Sequence, residues 1–224
     1  MVSIIIPVLN EERKVRGILE QVTLLGGEKE IIIVDGGSTD NTVAIASKYG
    51  RVIHSEKGRS KQMNSGAKES NGDILWFVHS DSIINVEALS AIEESIKSGY
   101  TGGGFSLYFY DYDTIFMKFV AATSNIRAKY LGIYFGDQGI FVRKDVFLEL
   151  GGYPNIELME DWELSKRLFK SGKIKILSIP IGTSARRFQN GGQLRTLLFM
   201  HKIKLLYVLG VPPSKLSKMY REVR

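Results

Sequence analysis

At 224 residues and 44% apolar composition, the chain can bury one sizeable core, which excludes a disordered segment or a disulfide-stapled miniprotein. It has no cysteine, so zinc–thiolate centres and thiol catalysis are excluded and a reducing compartment fits. The net charge of +6 is uneven: from Ile181 onward nine Lys/Arg accompany one acid, Glu222, and the remainder is slightly acidic. A basic end of this kind predicts an anionic surface as partner.

The opening MVSIIIPVLNEE lacks a basic leader, and no uncharged apolar run approaches the ~20 residues that span a bilayer. We therefore expect a soluble or peripheral protein. In chain order, residues 2–9 predict a strand, and 11–25 a helix with Val15, Ile18, Leu19 and Val22 on one face. Residues 30–34 predict a strand, apolar from Ile31 to Val34 as a central parallel strand requires. A helix over 40–49, a strand over 51–54, a helix over 60–70 and a strand over 73–78 follow. Residues 85–98 predict a further helix with Asn85 as its N-cap. This alternation predicts an α/β fold, a parallel sheet with helices on both faces and ligands at the carboxyl ends of its strands.

Past Gly99 the pattern changes. Strands are expected over 103–110, 138–142 and 174–179, and helices over 113–129, 160–171 and 193–209. No repeat or low-complexity linker interrupts the chain. We expect a single domain with a nucleotide-type half (1–99), an acceptor-shaping half (100–192) and a basic helical extension (193–224). The last helix admits two arrangements. Leu194, Leu197, Leu198, Leu205 and Val208 can face the core with Arg195, Lys202 and Lys204 in water. Alternatively Phe199, Ile203, Leu206 and Tyr207 also stay exposed, and the helix lies on anionic lipid.

Four polar loops should open on one rim. Pro7, Asn10 and Glu11 follow the first strand, and Asp35, Gly36 and Gly37 the second. Lys57 and Arg59 follow the third, and His79, Ser80 and Asp81 the fourth. The acids can bind a ribose, a base or a cation, and the basic side chains can face phosphate. Asn10 and Glu11 can equally cap and charge-match the first helix. Asp35, placed between a buried strand and two glycines, favours ligand contact over a structural role. Glu160 and Asp161 open a later helix, where its positive end favours carboxylates whether or not they react. Gly136 to Gly139 can line an acceptor pocket or simply turn. Neither G-x-G-x-x-G nor a Walker loop is present, against a dinucleotide oxidoreductase or a P-loop NTPase.

SIIIPVLNEE, IIIVDGGSTDNT, GRSKQMNSGAKESNGDILWFVHSDS and MEDWELSKRL, in that order, resemble family 2 glycosyltransferases. TSARRF and LRTLLFMHKIKLLYVLGV further resemble the radical-SAM/selenodomain-associated subgroup. The resemblance implies a GT-A, Rossmann-like, mostly parallel sheet and an inverting transfer from a nucleoside-diphosphate sugar. It implies Asp161 as catalytic base beside Glu160. It places Pro7, Asn10, Glu11, Asp35, Gly37, Arg59, His79 and Arg187 around the donor, and Asp81 on a divalent cation, Mg²⁺ or Mn²⁺. His79 stands where the family's D-x-D motif has its first acid, so one matching carboxylate remains. The expected partners are a nucleotide-sugar, UDP-sugars first, and a lipid-linked acceptor, with no nucleic acid among them. The expected place is the cytoplasm, at the inner face of a membrane. A nucleotidyltransferase and a non-catalytic nucleotide-sugar binder are the competing readings.

Overall fold

The computed structural model describes the backbone of residues 1–222 and the side chains of residues 1–220, so Arg224 and the Arg221 and Glu222 side chains lie outside the described residues. The first half alternates as expected: β1 (Val2–Val8), α1 (Val15–Leu24), β2 (Lys29–Asp35), α2 (Thr42–Ala46), β3 (Arg51–His54), α3 (Arg59–Glu69), β4 (Ile74–Phe77) and α4 (Ala88–Lys97). The second half contains β5 (Gly102–Phe109), α5 (Ile115–Leu131), a 3₁₀ turn (Gly136–Gln138), β6 (Phe141–Arg143), α6 (Lys144–Glu149) and α7 (Glu160–Ser171). It closes with β7 (Ile174–Thr183), α8 (Arg186–Gly191), α9 (Gln193–Val208) and α10 (Pro213–Glu222). One seven-stranded sheet runs β3-β2-β1-β4-β6-β5-β7.

β1 pairs in parallel with β2 on one side and β4 on the other. Covered on both faces, it reads apolar nearly throughout. Its alternate residues feed two cores. Ile4, Ile6 and Val8 meet Ile18 and Leu19 of α1 and Leu89 and Ile92 of α4. Ile5 meets Met63 and Ala67 of α3 and Leu164 and Leu168 of α7. Each fully buried aliphatic side chain stabilises by about 1.5–3 kcal/mol. α3 approaches β1 closely because residue 66 is glycine: a Cβ there would stand 2.5 Å from Ile5 Cγ2.

β6 alone runs against its neighbours, pairing Ile74 with Arg143 and Trp76 with Phe141. Its start therefore lies at the carboxyl end of β4. The Gly136–Gln138 turn thus arrives on the same rim as the loops after β1, β2 and β4, at the point where the strand order reverses.

Several boundaries depart from expectation. α1 begins at Val15 rather than residue 11, because Asn10 takes a left-handed backbone (φ 54°) and the following residues bind the loop after β2. Asn85 caps the turn before α4, accepting from Glu87 N at 2.9 Å, instead of capping the helix itself. Gln138 closes a turn rather than opening a strand, and β6 begins only at Phe141. Of the first arrangement expected for the last helix, Leu197 packs inward and Arg195 and Lys202 face water, but the rest of its inner stripe is corrected, as is the exposed set of the second. Leu194, Leu198, Leu205 and Val208 are exposed, whereas Ile203 is buried and Phe199, Leu206 and Tyr207 pack beside it. Lys204 lies on the inner side, over the Phe135 ring at 5.4 Å. α10, which follows Pro212, supplies Leu216 to that contact.

Candidate donor and catalytic site

The loops after β1 and β2 are zipped together. Asn10 N donates to Ser38 Oγ at 2.9 Å, Thr39 N to Asn10 Oδ1 at 2.8 Å, and Glu11 N to Thr42 Oγ1 at 2.8 Å. Asp35 is buried at the end of β2, and its carboxylate accepts from Gly37 N at 3.0 Å and Ser38 N at 3.1 Å, with His54 Nδ1 at 3.3 Å. Burial opposes its ionisation, but these hydrogen bonds outweigh it and hold the carboxyl below the usual range. Asp35 and Asn10 thus organise backbone, and Gly37 serves that turn at φ 94°. Pro7 lies in β1 opposite Val34. Gln62 of α3, which the sequence reading overlooked, ties the two strand ends by donating to Val8 O at 2.8 Å and Val34 O at 2.9 Å.

Beside this frame lies a cleft of ≈ 370 Å³ lined by Asn10, Glu11, Lys14, Asp40 and Arg186 among others. Arg186 lines it, while Arg187 stacks its guanidinium over Tyr220 of α10 at 4.0 Å. Asp81, just past β4, is paired with Lys14 Nζ at 3.4 Å.

His79 turns towards the second half of the chain. Its Nε2 would meet a Cβ on Gly136 at 2.6 Å, so glycine is needed there for the ring to fit. That nitrogen is shut off from solvent and has no hydrogen-bond partner. Burial first, and the Arg59 charge second, push the imidazole down to about 3 against the pull of Asp81, so it is neutral at working pH.

The two acids of α7 meet the same turn. Asp161 Oδ2 accepts from Gly136 N at 2.9 Å, and its Oδ1 from Trp162 N at 2.8 Å. Arg59 Nη1 approaches Glu160 Oε1 at 3.8 Å. Burial raises both carboxyls; Asp161 raises Glu160 further, to about 7, while Arg59 opposes both shifts. Met159, immediately before them, holds a left-handed backbone (φ 70°), strain of the kind that collects at working sites.

A second group behind the turn was not evident in the sequence. Arg127 of α5 donates to Gln138 Oε1 at 2.7 Å and lies over Phe135 at 4.4 Å. Lys204 of α9 shares that ring, and burial with the nearby Arg127 lowers it to about 8. Between them Asp137 has a solvent-shielded Oδ1 with no hydrogen-bond partner, and burial raises its carboxyl despite Arg127.

A mostly parallel sheet with its polar loops at a strand-order reversal, facing a buried acid pair, is the arrangement in which α/β proteins bind their ligands. The sequence profile described as Glycosyl transferase family 2 matches residues 3–151, and the chain belongs to that family. It is 28% identical over 178 residues to glycosyltransferase AglE of Haloferax volcanii, covering 69% of this chain and 56% of that protein. To the probable glycosyltransferase YdaM of Bacillus subtilis it is 27% identical over 198 residues, 76% of this chain and 47% of that protein. The chain thus spans about half the length of these two relatives. The fold is similar to Staphylococcus aureus TarS 1–349 in complex with UDP-GlcNAc: TM-score 0.65, 20% identity, 83% of this chain and 58% of that one. It is also similar to mannosyltransferase PcManGT of Pyrobaculum calidifontis in complex with GDP-Man and Mn²⁺: TM-score 0.67, 15% identity, 91% and 64% covered. At such identities the likeness establishes the fold alone.

Proposed function

We propose that the chain transfers a sugar from a nucleoside-diphosphate sugar to an acceptor hydroxyl, inverting the anomeric carbon. The observation that carries this is the Asp161 carboxylate, buried, raised in pKa and fixed by Gly136 N–H on the rim where β4 delivers His79 and Asp81. A hydroxyl is a weak nucleophile until it loses its proton. Asp161 takes that proton as the oxygen attacks the anomeric carbon from the face opposite the nucleotide, and the bond to the diphosphate breaks. Such positioned proton transfer contributes ~10²–10⁴-fold. Glu160, paired with Arg59, keeps the Asp161 side of the site electrostatically poised.

The first half (1–99) is the donor half. Pro7, Asn10, Glu11, Asp35 and Gly37 shape its wall, Arg59 contributes a polar contact, and His79 and Arg187 brace it from behind, the one against Gly136 and the other against Tyr220. The complexes of TarS with UDP-GlcNAc and of PcManGT with GDP-Man support a nucleotide-sugar, and we favour a UDP-sugar. Among the described residues no three His, Cys, Asp or Glu side chains form a metal cage. Asp81 alone suits an Mg²⁺ or Mn²⁺ ion held mostly by the donor's phosphates and water. Such an ion, when bound, neutralises charge on the departing diphosphate. The second half (100–192) shapes the acceptor pocket, and residues 193–224 extend it. We read the acceptor as lipid-linked and the enzyme as working in the cytoplasm at the inner face of a membrane. The tail segments TSARRF and LRTLLFMHKIKLLYVLGV support placing it in the radical-SAM/selenodomain-associated subgroup.

A panel of UDP-, GDP- and dTDP-sugars, with and without Mn²⁺, tests this by thermal shift and product analysis. Release of nucleoside diphosphate with an inverted glycoside is the expected result. Pyrophosphate release would mark a nucleotidyltransferase, and binding without turnover a carrier. Stabilisation by no nucleotide would remove the donor site.

A further inference from the structure

The exposed apolar side chains of this molecule are not scattered. On α5 Ile115, Phe119, Ile126 and Tyr130 are 56–88% exposed and recur at helical spacing along one side. On α9 Leu194, Leu198, Leu205 and Val208 are 60–67% exposed and do the same. Single exposed apolar residues need no explanation, whereas two aligned rows of them do.

The two helices are linked at two places. Near their starts Met117 and Val120 of α5 pack in one cluster with Leu197 and Met200 of α9. Near their ends Arg127 and Lys204 share the Phe135 ring. Both helices are apolar on their inner and outer sides, a pattern that belongs to buried helices, yet their outer sides are open.

Charge decides what covers them. Neither Ile115–Leu131 nor Gln193–Val208 contains a single Asp or Glu. Lys118 and Lys129 flank the first row, and Arg195, His201 and Lys202 the second. Among the described residues Lys118 is the one of these in an ion pair, with Asp113 just outside the helix at 3.1 Å. A second copy of this face would set cations against cations with no acid from either helix, which disfavours a self-complementary contact. A bilayer rich in anionic lipid meets both demands, taking the apolar rows at the acyl boundary and the cations at the headgroups.

We propose that the outer sides of α5 and α9 together form the surface by which this protein docks on an anionic membrane. The inner sides of the same helices carry Arg127, Lys204 and Tyr207 to the catalytic end, Tyr207 donating to Glu163 at 2.7 Å. The proposal does not rest on the transfer chemistry, since vesicle binding requires neither donor nor acceptor.

Co-sedimentation with vesicles of phosphatidylglycerol and phosphatidylcholine, against phosphatidylcholine alone, tests it. The protein should partition onto the anionic vesicles and leave them as salt is raised. Phe119→Ser/Leu198→Ser should weaken partition about tenfold or more, because the anchoring is hydrophobic. Arg195→Glu/Lys202→Glu should weaken it about fivefold or more per residue. Leu24→Ser, at an equally exposed leucine on α1, should leave it unchanged, and all variants should keep the parent's circular dichroism and donor thermal shift. No partition onto anionic vesicles, or partition indifferent to both double variants, would overturn the proposal. So would a dimer in ultracentrifugation that the same variants dissociate while vesicle binding is absent.

Discussion

Two groups of buried carboxylates stand on the same rim with opposite electrostatics. Asp35 closes β2 inside a ring of backbone N–H donors, which hold it below its ordinary range. Glu160 and Asp161 open α7 with fewer hydrogen bonds to offset their burial, and both are raised. A carboxylate tied up by backbone is a fastener, permanently ionised and already satisfied. One raised towards neutrality with a single loop N–H to orient it can exchange a proton. Similar sequence contexts, an acid at the end of a strand or the start of a helix, thus acquire different work from their surroundings.

The sharpest way to break that contrast is Asp161→Asn. It should lower kcat about 10²–10⁴-fold while leaving the donor-induced thermal shift intact. A comparable loss of donor binding would put Asp161 on the fastener side. Asp81→Ala comes next: we expect kcat/KM to fall about 10²-fold, as on removing one charge-stabilising group, with metal-dependent donor binding lost. Asp35→Ala should act on stability instead, costing about 1–3 kcal/mol in urea unfolding because its buried N–H partners lose their acceptor. Since its folded pKa is depressed, its contribution is present above the ordinary value of 3.8 and fades as pH falls below it. Glu160 behaves in the reverse sense. Raised from 4.5 to about 7, it favours the fold most when protonated, and that advantage is lost as pH rises through this window. Activity should accordingly climb with pH through about 7 as the pair ionises. The smallest effect belongs to Arg59→Ala. Without that cation both acids rise, so the acidic limb of the rate profile should move up by less than about one unit, its side chain being half exposed and screened.

Much of the donor half was legible because its central strands carry unbroken apolar runs such as Ile31–Val34 and Ile74–Phe77 and its first helix has one apolar face. Val15, Ile18, Leu19 and Val22 identified α1, and the helix opened by Glu160 begins where read. What the sequence hid was set at long range. α9 has apolar residues on every side, so periodicity could not say which side turns inward. Lys204 looked like solvated surface until α9 was seen to cover Phe135. The Gly136–Gln138 turn was legible as a turn or a pocket lining, but only the antiparallel pairing of β6 with β4 brings it against His79. Asp35 was legible as important, but its role as the acceptor for its own loop required the left-handed Gly37 to be seen.

The central contrast is most directly tested by following the side-chain carboxyl ¹³C resonances of Asp35, Glu160 and Asp161 across pH in the ligand-free protein. Asp35 should titrate below 3.8, and the α7 pair should titrate above the ordinary carboxyl range with one step near about 7. All three titrating together in the ordinary range would contradict the assignment of proton transfer to α7.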